Sequence, residues 1–341
     1  MNIGILSYTS ARRKLNSRRR TLAEKYLIAA VKKRGYKPVF LRADKCELSY
    51  ADGRMKVLYA GKKFPDLDVI IPRPSITVNV DLKLTLNKHL LLMGMPLVNG
   101  YMPILRAKNK IRTLQIMSHE GIKVPKTVVL ERLEYIDNAV KRVGGYPVIL
   151  KTVAGSLGKG VVIVESKRSM LSALDMILTQ DHWKILLIQE YVEEAKGKDV
   201  RVFVVDGKVI ASMERSAAEG DFRSNLHAGG RGVVAHLTVA EEKMSLDAAK
   251  ALKLDIAGVD LLRAKNGPVV MEVNANPGLE GITSVTGVDV AGAIVDFAIK
   301  KAGGGAPPQC PEFRGSLSGA HNKKTPLDKE ALLMDEPYAV I

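Results

Sequence analysis

Cysteine is almost absent from this chain. Its 341 residues hold two, Cys46 and Cys310, far apart and without metal-type spacing. That excludes a disulfide framework and a thiolate metal site, and predicts a reducing, cytoplasmic setting. No uncharged apolar run approaches the roughly 20 residues that cross a bilayer, so no membrane partner is expected. Met1–Leu6 reads as the start of a strand rather than as a signal peptide. No Ser/His/Asp or Cys/His arrangement is visible, which removes the common nucleophilic hydrolases. Acidic residues are the scarcer charged class, at 36 against 52 Lys and Arg, a net charge of +16. Such a surplus attracts polyanions: acidic peptides, nucleotides and, as a secondary partner, nucleic acid. Much of it is early, at Arg12, Arg13, Lys14, Arg18, Arg19 and Arg20, where a solvated face is an equal reading.

The chain is long enough for two or three lobes. In the first, strand signals at Asn2–Ser7, Lys37–Leu41 and Leu67–Ile71 alternate with helical spacing over Arg18–Arg34 and Asp81–Met93. Pro72 and Pro74 are expected to break the third strand. The βαβ rhythm predicts a small, mostly parallel sheet. Past Pro103, helical periodicity over Arg106–Glu120 precedes strands at Lys126–Leu130, Pro147–Lys151 and Val161–Glu165, with a helix over Arg168–Leu178. Hairpin signals come next. Asp206-Gly207 joins Val200–Val205 to Val209–Glu214, and Lys265-Asn266-Gly267 joins Asp255–Arg263 to Pro268–Asn274. Helices near Ala240–Leu252 and Val288–Lys300 would cover this sheet. Beyond Gly303 a Gly-Gly-Ala-Pro-Pro stretch introduces a polar tail, expected to be a flexible appendix.

Four segments carry chemistry. If the second hairpin turns through three residues, with Gly267 left-handed, Ala264 opposes Pro268 and Asp260 opposes Glu272. Asn274 shares their face by strand alternation. Two carboxylates and an amide oxygen make a hard-oxygen site for magnesium with phosphates. A two-residue turn would instead send Asp260 to the other face. Taken alone, the motif reads equally as a pair of solvated acids on a half-exposed hairpin. Next, Lys151 ends an apolar strand before Ala154-Gly-Ser-Leu-Gly-Lys-Gly160. The spacing is not that of a Walker loop, but Gly155, Ser156, Gly158 and Gly160 suit a flexible cover whose backbone N–H groups approach an anion. Third, Gln189-Glu190-Tyr191 ends an apolar run where backbone groups could meet a base edge, and Asp199 and Arg201 could reach a sugar or phosphate or form an ordinary surface pair. Fourth, Glu214–Gly230 breaks all periodicity and gathers Arg215, Arg223 and His227. Long irregular segments are often functional, and arginine suits bidentate capture of carboxylate or phosphate.

In this order the segments resemble the ATP-grasp fold, and more closely the RimK-type glutamate ligases. The resemblance rests on Arg106-Ala-Lys108-Asn-Lys110, Gln189-Glu-Tyr, Glu219-Gly-Asp-Phe-Arg-Ser-Asn225-Leu-His, Asp255-Ile-Ala-Gly-Val-Asp260 and Met271-Glu-Val-Asn-Ala-Asn-Pro-Gly-Leu-Glu-Gly281. It implies an α/β chain of α+β lobes: a Rossmann-like pre-ATP-grasp domain at 1–103, a central lobe at 104–188, a metal-bearing lobe at 189–302 and a tail at 303–341. It also implies roles. Lys110 and Lys151 would contact the ATP phosphates, Glu190 and Tyr191 the adenine, and Asp199 the ribose. Arg223, Ser224 and Asn225 would belong to the nucleotide and acyl-phosphate site, and Asp260, Glu272 and Asn274 would hold magnesium or manganese, two ions being expected. Arg215 is the expected stabiliser of the acyl phosphate or oxyanion. L-Glutamate would be joined to an acidic peptide or to the C-terminus of the sixth small-subunit ribosomal protein, by a homo-oligomer. The basic Arg12–Arg20 stretch and the tail depart from the shorter family members and leave the acceptor open. Rival readings are a ligase acting on a metabolite or carrier protein, and a non-catalytic RNA-binding protein.

Overall fold

The computed structural model describes residues 1–8, 20–76, 79–152, 160–178, 185–218 and 229–303. Strand β1 (Asn2–Ser7) leads to helix α1 (Leu22–Lys33) and strand β2 (Lys37–Arg42). The helix begins later than its periodicity predicts because Thr21 caps it. The Thr21 side chain accepts from the Glu24 N–H while Glu24 accepts from the Thr21 N–H, a reciprocal capping box. A meander of β3 (Cys46–Ala51), β4 (Arg54–Tyr59) and β5 (Lys62–Lys63) was not expected. Its signal was present: Asp52-Gly53, at φ 52° and 68°, is the chemistry of a two-residue hairpin turn. Cys46 lies here as a free thiol, pushed up to about 11 by burial and Asp44. Strand β6 (Val69–Arg73) then pairs with β1, giving the parallel order β2-β1-β6. Pro72 does not break it, since an outer strand tolerates a missing N–H.

Helix α2 (Val80–Leu92) is succeeded by two helices, α3 (Tyr101–Lys108) and α4 (Lys110–His119), where one was predicted over Arg106–Glu120. Asn109 divides them. It is extended, at φ −108° and ψ 111°, and its Oδ1 accepts from the N–H groups of Ile111 and Arg112. Asparagine competes with the helical backbone in this way, ending α3 and capping α4.

Strand β7 (Thr127–Leu130), helix α5 (Ile136–Val143), strands β8 (Val148–Thr152) and β9 (Val161–Val164), helix α6 (Lys167–Leu178) and strand β10 (Leu186–Glu190) form the middle lobe. Its sheet is antiparallel, in the order β7-β10-β8-β9. Leu130, Val140, Val148, Leu150, Val164, Leu174 and Ile188 close a core of their own.

The remaining elements are β11 (Lys198–Val205), β12 (Lys208–Ser216), β13 (Arg231–Val234), α7 (Val239–Ala251), β14 (Ile256–Ala264), β15 (Gly267–Asn274), α8 (Glu280–Thr286) and α9 (Val290–Gly303). The five strands order as β13-β12-β11-β14-β15. The β14–β15 turn corrects the expected one. Ala264 pairs with Gly267, not Pro268, and the register holds through Leu261 and Val270. A bulge between Asp260 and Leu261 then shifts it by one, so Asp260 still opposes Glu272. The extra residue on β15 restores the face that a two-residue turn alone would have reversed. Gly267 has φ 97°, as expected of a residue that must turn left-handed.

The first and last sheets share their cores. Ile3, Ile5, Leu27, Val69 and Ile71 pack with Phe203, Ile256, Ile294 and Val295, and Leu6, Ile70 and Leu97 join a cluster with Val200, Ala257, Leu261 and Val273. Asn99, 2% exposed, ties the two halves. Its Nδ2 donates to the carbonyls of Ile256 (2.8 Å) and Ala275 (2.9 Å), and its Oδ1 accepts from Ile256 N (2.9 Å). Asn99→Ala leaves three buried backbone groups without partners. A loss of about 3 kcal/mol is expected, read as a lower urea midpoint at unchanged slope. Among the described residues no single helix is long and apolar enough to cross a membrane. Gly155, Ser156, Gly158, Arg223, Ser224, Asn225 and His227 lie outside the described residues, as do Arg12–Arg19, Cys310 and the tail from 304.

Candidate active site

Strand pairing gathers charge on one face of the five-stranded sheet. Asp199 opposes Arg215, Arg201 opposes Asp260, and Asp260 opposes Glu272. Opposed residues share a face, so these five side chains emerge on one side. Asn274, opposite Gly258, shares it too. Gly258 is needed there: a Cβ would come within 2.8 Å of Pro277 Cβ, so only glycine lets the loop after β15 lie this close.

The face holds an ionic ladder. Arg215 grips Asp199 with Nε (2.6 Å) and Nη2 (2.8 Å), and the same Nη2 lies 3.1 Å from Asp260 Oδ2. Arg201 grips Asp260 with both Nε and Nη2, the latter at 2.7 Å. Asp199, Asp260 and Arg215 are all buried, so the surface-pair reading of Asp199 and Arg201 is corrected: each bonds across strands, not to the other. Burial raises the Asp260 pKa, but Arg201 and Arg215 more than offset it and hold the carboxyl below its ordinary value. For Arg215, burial opposes the charge, and Asp260 and Asp199 raise its pKa regardless.

Opposite this ladder is a group of lysines. Lys151 Nζ donates to Gln189 Oε1 at 2.6 Å, and Gln189 Nε2 donates to Thr127 Oγ1 at 2.8 Å. Gln189, 4% exposed, thereby fixes the lysine, a role that strand-end periodicity did not single out. Desolvation lowers Lys151 to about 8, with Glu272 raising it and Lys110 lowering it. Lys110 and Lys108 are also lowered by burial and raised by Glu272. One carboxylate therefore attracts three ammonium groups: α3 and α4, which both pack against β15, bring Lys108 and Lys110, and β8 brings Lys151. Of the other expected residues, Glu190 pairs with Lys126 at 3.5 Å, Tyr191 is half-buried at the end of β10, and Gly160 (φ 77°) returns the chain to Thr152, whose N–H donates to its carbonyl at 3.1 Å.

A phosphate on Lys151 needs the ammonium form. Nucleotide affinity is therefore expected to fall as pH rises through about 8, where roughly half a proton is taken up on binding. Calorimetry in buffers of different ionisation enthalpy measures this uptake, and Lys151→Met should abolish it.

Glu272 and Asn274 offer oxygens of the kind that hold a hard divalent cation, and Asn276 Oδ1, two residues further on, is buried without a donor among the described residues. Asp260 shares their face, with both its oxygens bonded to Arg201 and Arg215. Magnesium or manganese is held by such oxygens.

Comparison with known proteins shows the family. Residues 107–298 match the family model of the RimK-like ATP-grasp domain, and residues 1–103 that of the RimK PreATP-grasp domain. A probable alpha-L-glutamate ligase of Vibrio atlanticus (strain LGP32) is 40% identical over 276 residues, 81% of this chain and 91% of that relative. Among solved structures, a RimK domain ATP-grasp protein from Sphaerobacter thermophilus DSM 20745 superposes with TM-score 0.67 at 22% identity, covering 88% of this chain and all of that one. The ATP-grasp ligase PsnB, complexed with a phosphomimetic precursor variant, Mg and ADP, does so at 0.65 and 20% identity, covering 88% of this chain and 98% of that one. The fold is thus ATP-grasp behind a pre-ATP-grasp domain, and the chain belongs to the RimK-like ATP-grasp family of ATP-dependent ligases.

Proposed function

We propose that this protein joins the amine of L-glutamate to the C-terminal carboxylate of an acidic peptide, such as the tail of the sixth small-subunit ribosomal protein, or to a growing poly-alpha-glutamate chain. The observation that carries the reading is the meeting of Glu272 with Lys110 and Lys151 on the sheet face that also holds Asp260 and Arg215. The match to relatives named as glutamate ligases supplies the amino acid.

A carboxylate resists attack by an amine because its carbon is resonance-protected. In the proposed route a carboxylate oxygen of the acceptor attacks the γ-phosphorus of ATP and ADP departs. The amine of glutamate then attacks the acyl carbon, loses a proton, and phosphate leaves with the carbon–oxygen bonding pair. Lys110 and Lys151 hold the phosphates and stabilise charge on the transferred group. Arg215 spends Nε and Nη2 on its aspartates, so its Nη1 edge is what it offers to an acyl phosphate or oxyanion. Glu190 and Tyr191 would border the adenine and Asp199 the ribose. Asp260, Glu272 and Asn274 would hold magnesium or manganese, which when bound neutralises phosphate charge.

Acceptor-dependent ADP release is the test. The protein is incubated with ATP and glutamate, alone and with the ribosomal protein or a peptide of its C-terminus, and products are weighed by mass spectrometry. Glutamate additions to the peptide support the protein-modifying reading, and free oligoglutamate the polymerising one. Transfer only to a metabolite or carrier protein would replace both. No nucleotide consumption with any amino acid would end the ligase reading.

A further inference from the structure

Two buried or half-buried cations remain without work in that scheme. Arg73 ends β6 in the first sheet and is 7% exposed. Its guanidinium donates from Nη2 to the Pro277 carbonyl at 2.8 Å, five residues past Glu272. Among the described residues no carboxylate lies within ion-pair distance of it. Burial lowers its pKa to about 10 against the opposing pull of Glu280 and Glu24, and both of those carboxylates are committed elsewhere. Glu280 accepts from the N–H groups of Ala23 and Leu279, and Glu24 from that of Thr21. Lys108 is the last residue of α3, half-buried where that helix packs against β15. It feels the attraction of Glu272 and the repulsion of Arg73 and Lys110, and likewise has no ion-pair partner among the described residues. A buried cation left unpaired is destabilising, and a protein retains one where an anion arrives.

We infer that Arg73 and Lys108 form a carboxylate subsite near Glu272 that receives a carboxylate of the incoming glutamate or of the acceptor's last residues. The inference rests on the ligase reading above. Arg73 brings a planar fork that matches a carboxylate, and Lys108 a compact point charge. The location gives the pair a second effect. An amine attacks only when neutral, and neighbouring positive charge lowers the pKa of a bound ammonium. The same two residues would bind the amino acid and favour its reactive form.

The test is steady-state ADP release by the full chain with glutamate, acceptor and ATP varied in turn, for wild type, Lys108→Met and Arg73→Lys. Lys108→Met is expected to raise one KM by roughly 10- to 100-fold, the worth of a charged hydrogen bond, with KM for ATP within about twofold. Arg73→Lys keeps the charge and loses the fork, and should give a smaller rise in the same KM. A rise in KM for glutamate assigns the subsite to the amino acid, and a rise for the acceptor assigns it to the peptide end. In the first case, lost preference for glutamate over glutamine in Lys108→Met assigns the subsite to the side-chain carboxylate, and a kept preference assigns it to the α-carboxylate. All three KM values unchanged, or KM for ATP rising alone, would overturn the subsite while leaving the ligase intact. Wild-type protein that releases no ADP with glutamate would sink the ligase reading itself, and the subsite with it.

Discussion

Glu272→Gln is expected to lower ATP turnover by about 10³-fold at saturating ATP, glutamate and acceptor, while the protein still folds. The side chain lies on the exposed side of β15, so its replacement leaves no cavity. What it removes is charge. Glu272 attracts Lys108, Lys110 and Lys151 at once, and it is the proposed metal donor opposite Asp260. The amide keeps one weak oxygen donor and no charge, so divalent affinity falls and the three lysines lose a counter-charge they share. Loss of one preorganised electrostatic contact in a site of this kind is worth roughly 10²–10³ in rate, and the disturbed lysines add to it. ADP release against magnesium concentration is the measurement. Turnover within tenfold of wild type at ordinary magnesium would mean that Glu272 is only a solvated acid, and the proposed site would fail.

Arg215→Ala should act first on stability. The guanidinium is the shared counter-ion of Asp199 and Asp260, both deeply buried. Removing one partner of a buried ion pair costs about 3–5 kcal/mol, and since Asp260 keeps the grip of Arg201, a loss at the lower end of that range is expected. The sign of its pH dependence comes from Asp260, whose folded-state pKa is depressed. Such a group contributes stability above its unfolded pKa, near 4, and loses it as pH falls through the folded value. The gap between wild type and Arg215→Ala should therefore be wide at pH 7 and narrow in acid, and the acid-unfolding midpoint of the variant should move to higher pH. Urea melts across the pH range check both statements. A pH-independent difference would place the cost in lost packing. Arg215→Lys keeps the charge but not the two-pronged grip, so it should recover part of the stability.

Much of this architecture was legible in the residues. Apolar alternation located β1, β2, β8, β11 and β14 within a residue or two, and Asp206-Gly207 fixed the β11–β12 turn, both residues having positive φ. Asp260 and Glu272 were also read as opposed, although by a different route. The expected three-residue turn gave the pairing directly, whereas the chain takes a tighter turn and regains the register through a bulge. Turn length and bulge position are set by how β14 and β15 twist against their neighbours, and neither leaves a distinct local pattern. The split at Asn109 was missed because helical spacing continues across it, although the capping asparagine was there to be read.

By itself the sequence determined the local order: which segments pleat, which coil, where they turn, and the family to which their strings are similar. Those properties arise from side-chain periodicity and backbone preference over a few neighbouring residues. Only the tertiary structure decided the electrostatics. Arg73 meets Pro277 across 204 positions and Arg201 meets Asp260 across 59, and Gln189 reaches Lys151 through the packing of β8 on β10. Charge acts through space rather than along the chain, so its partners are chosen when the sheets and helices close on one another.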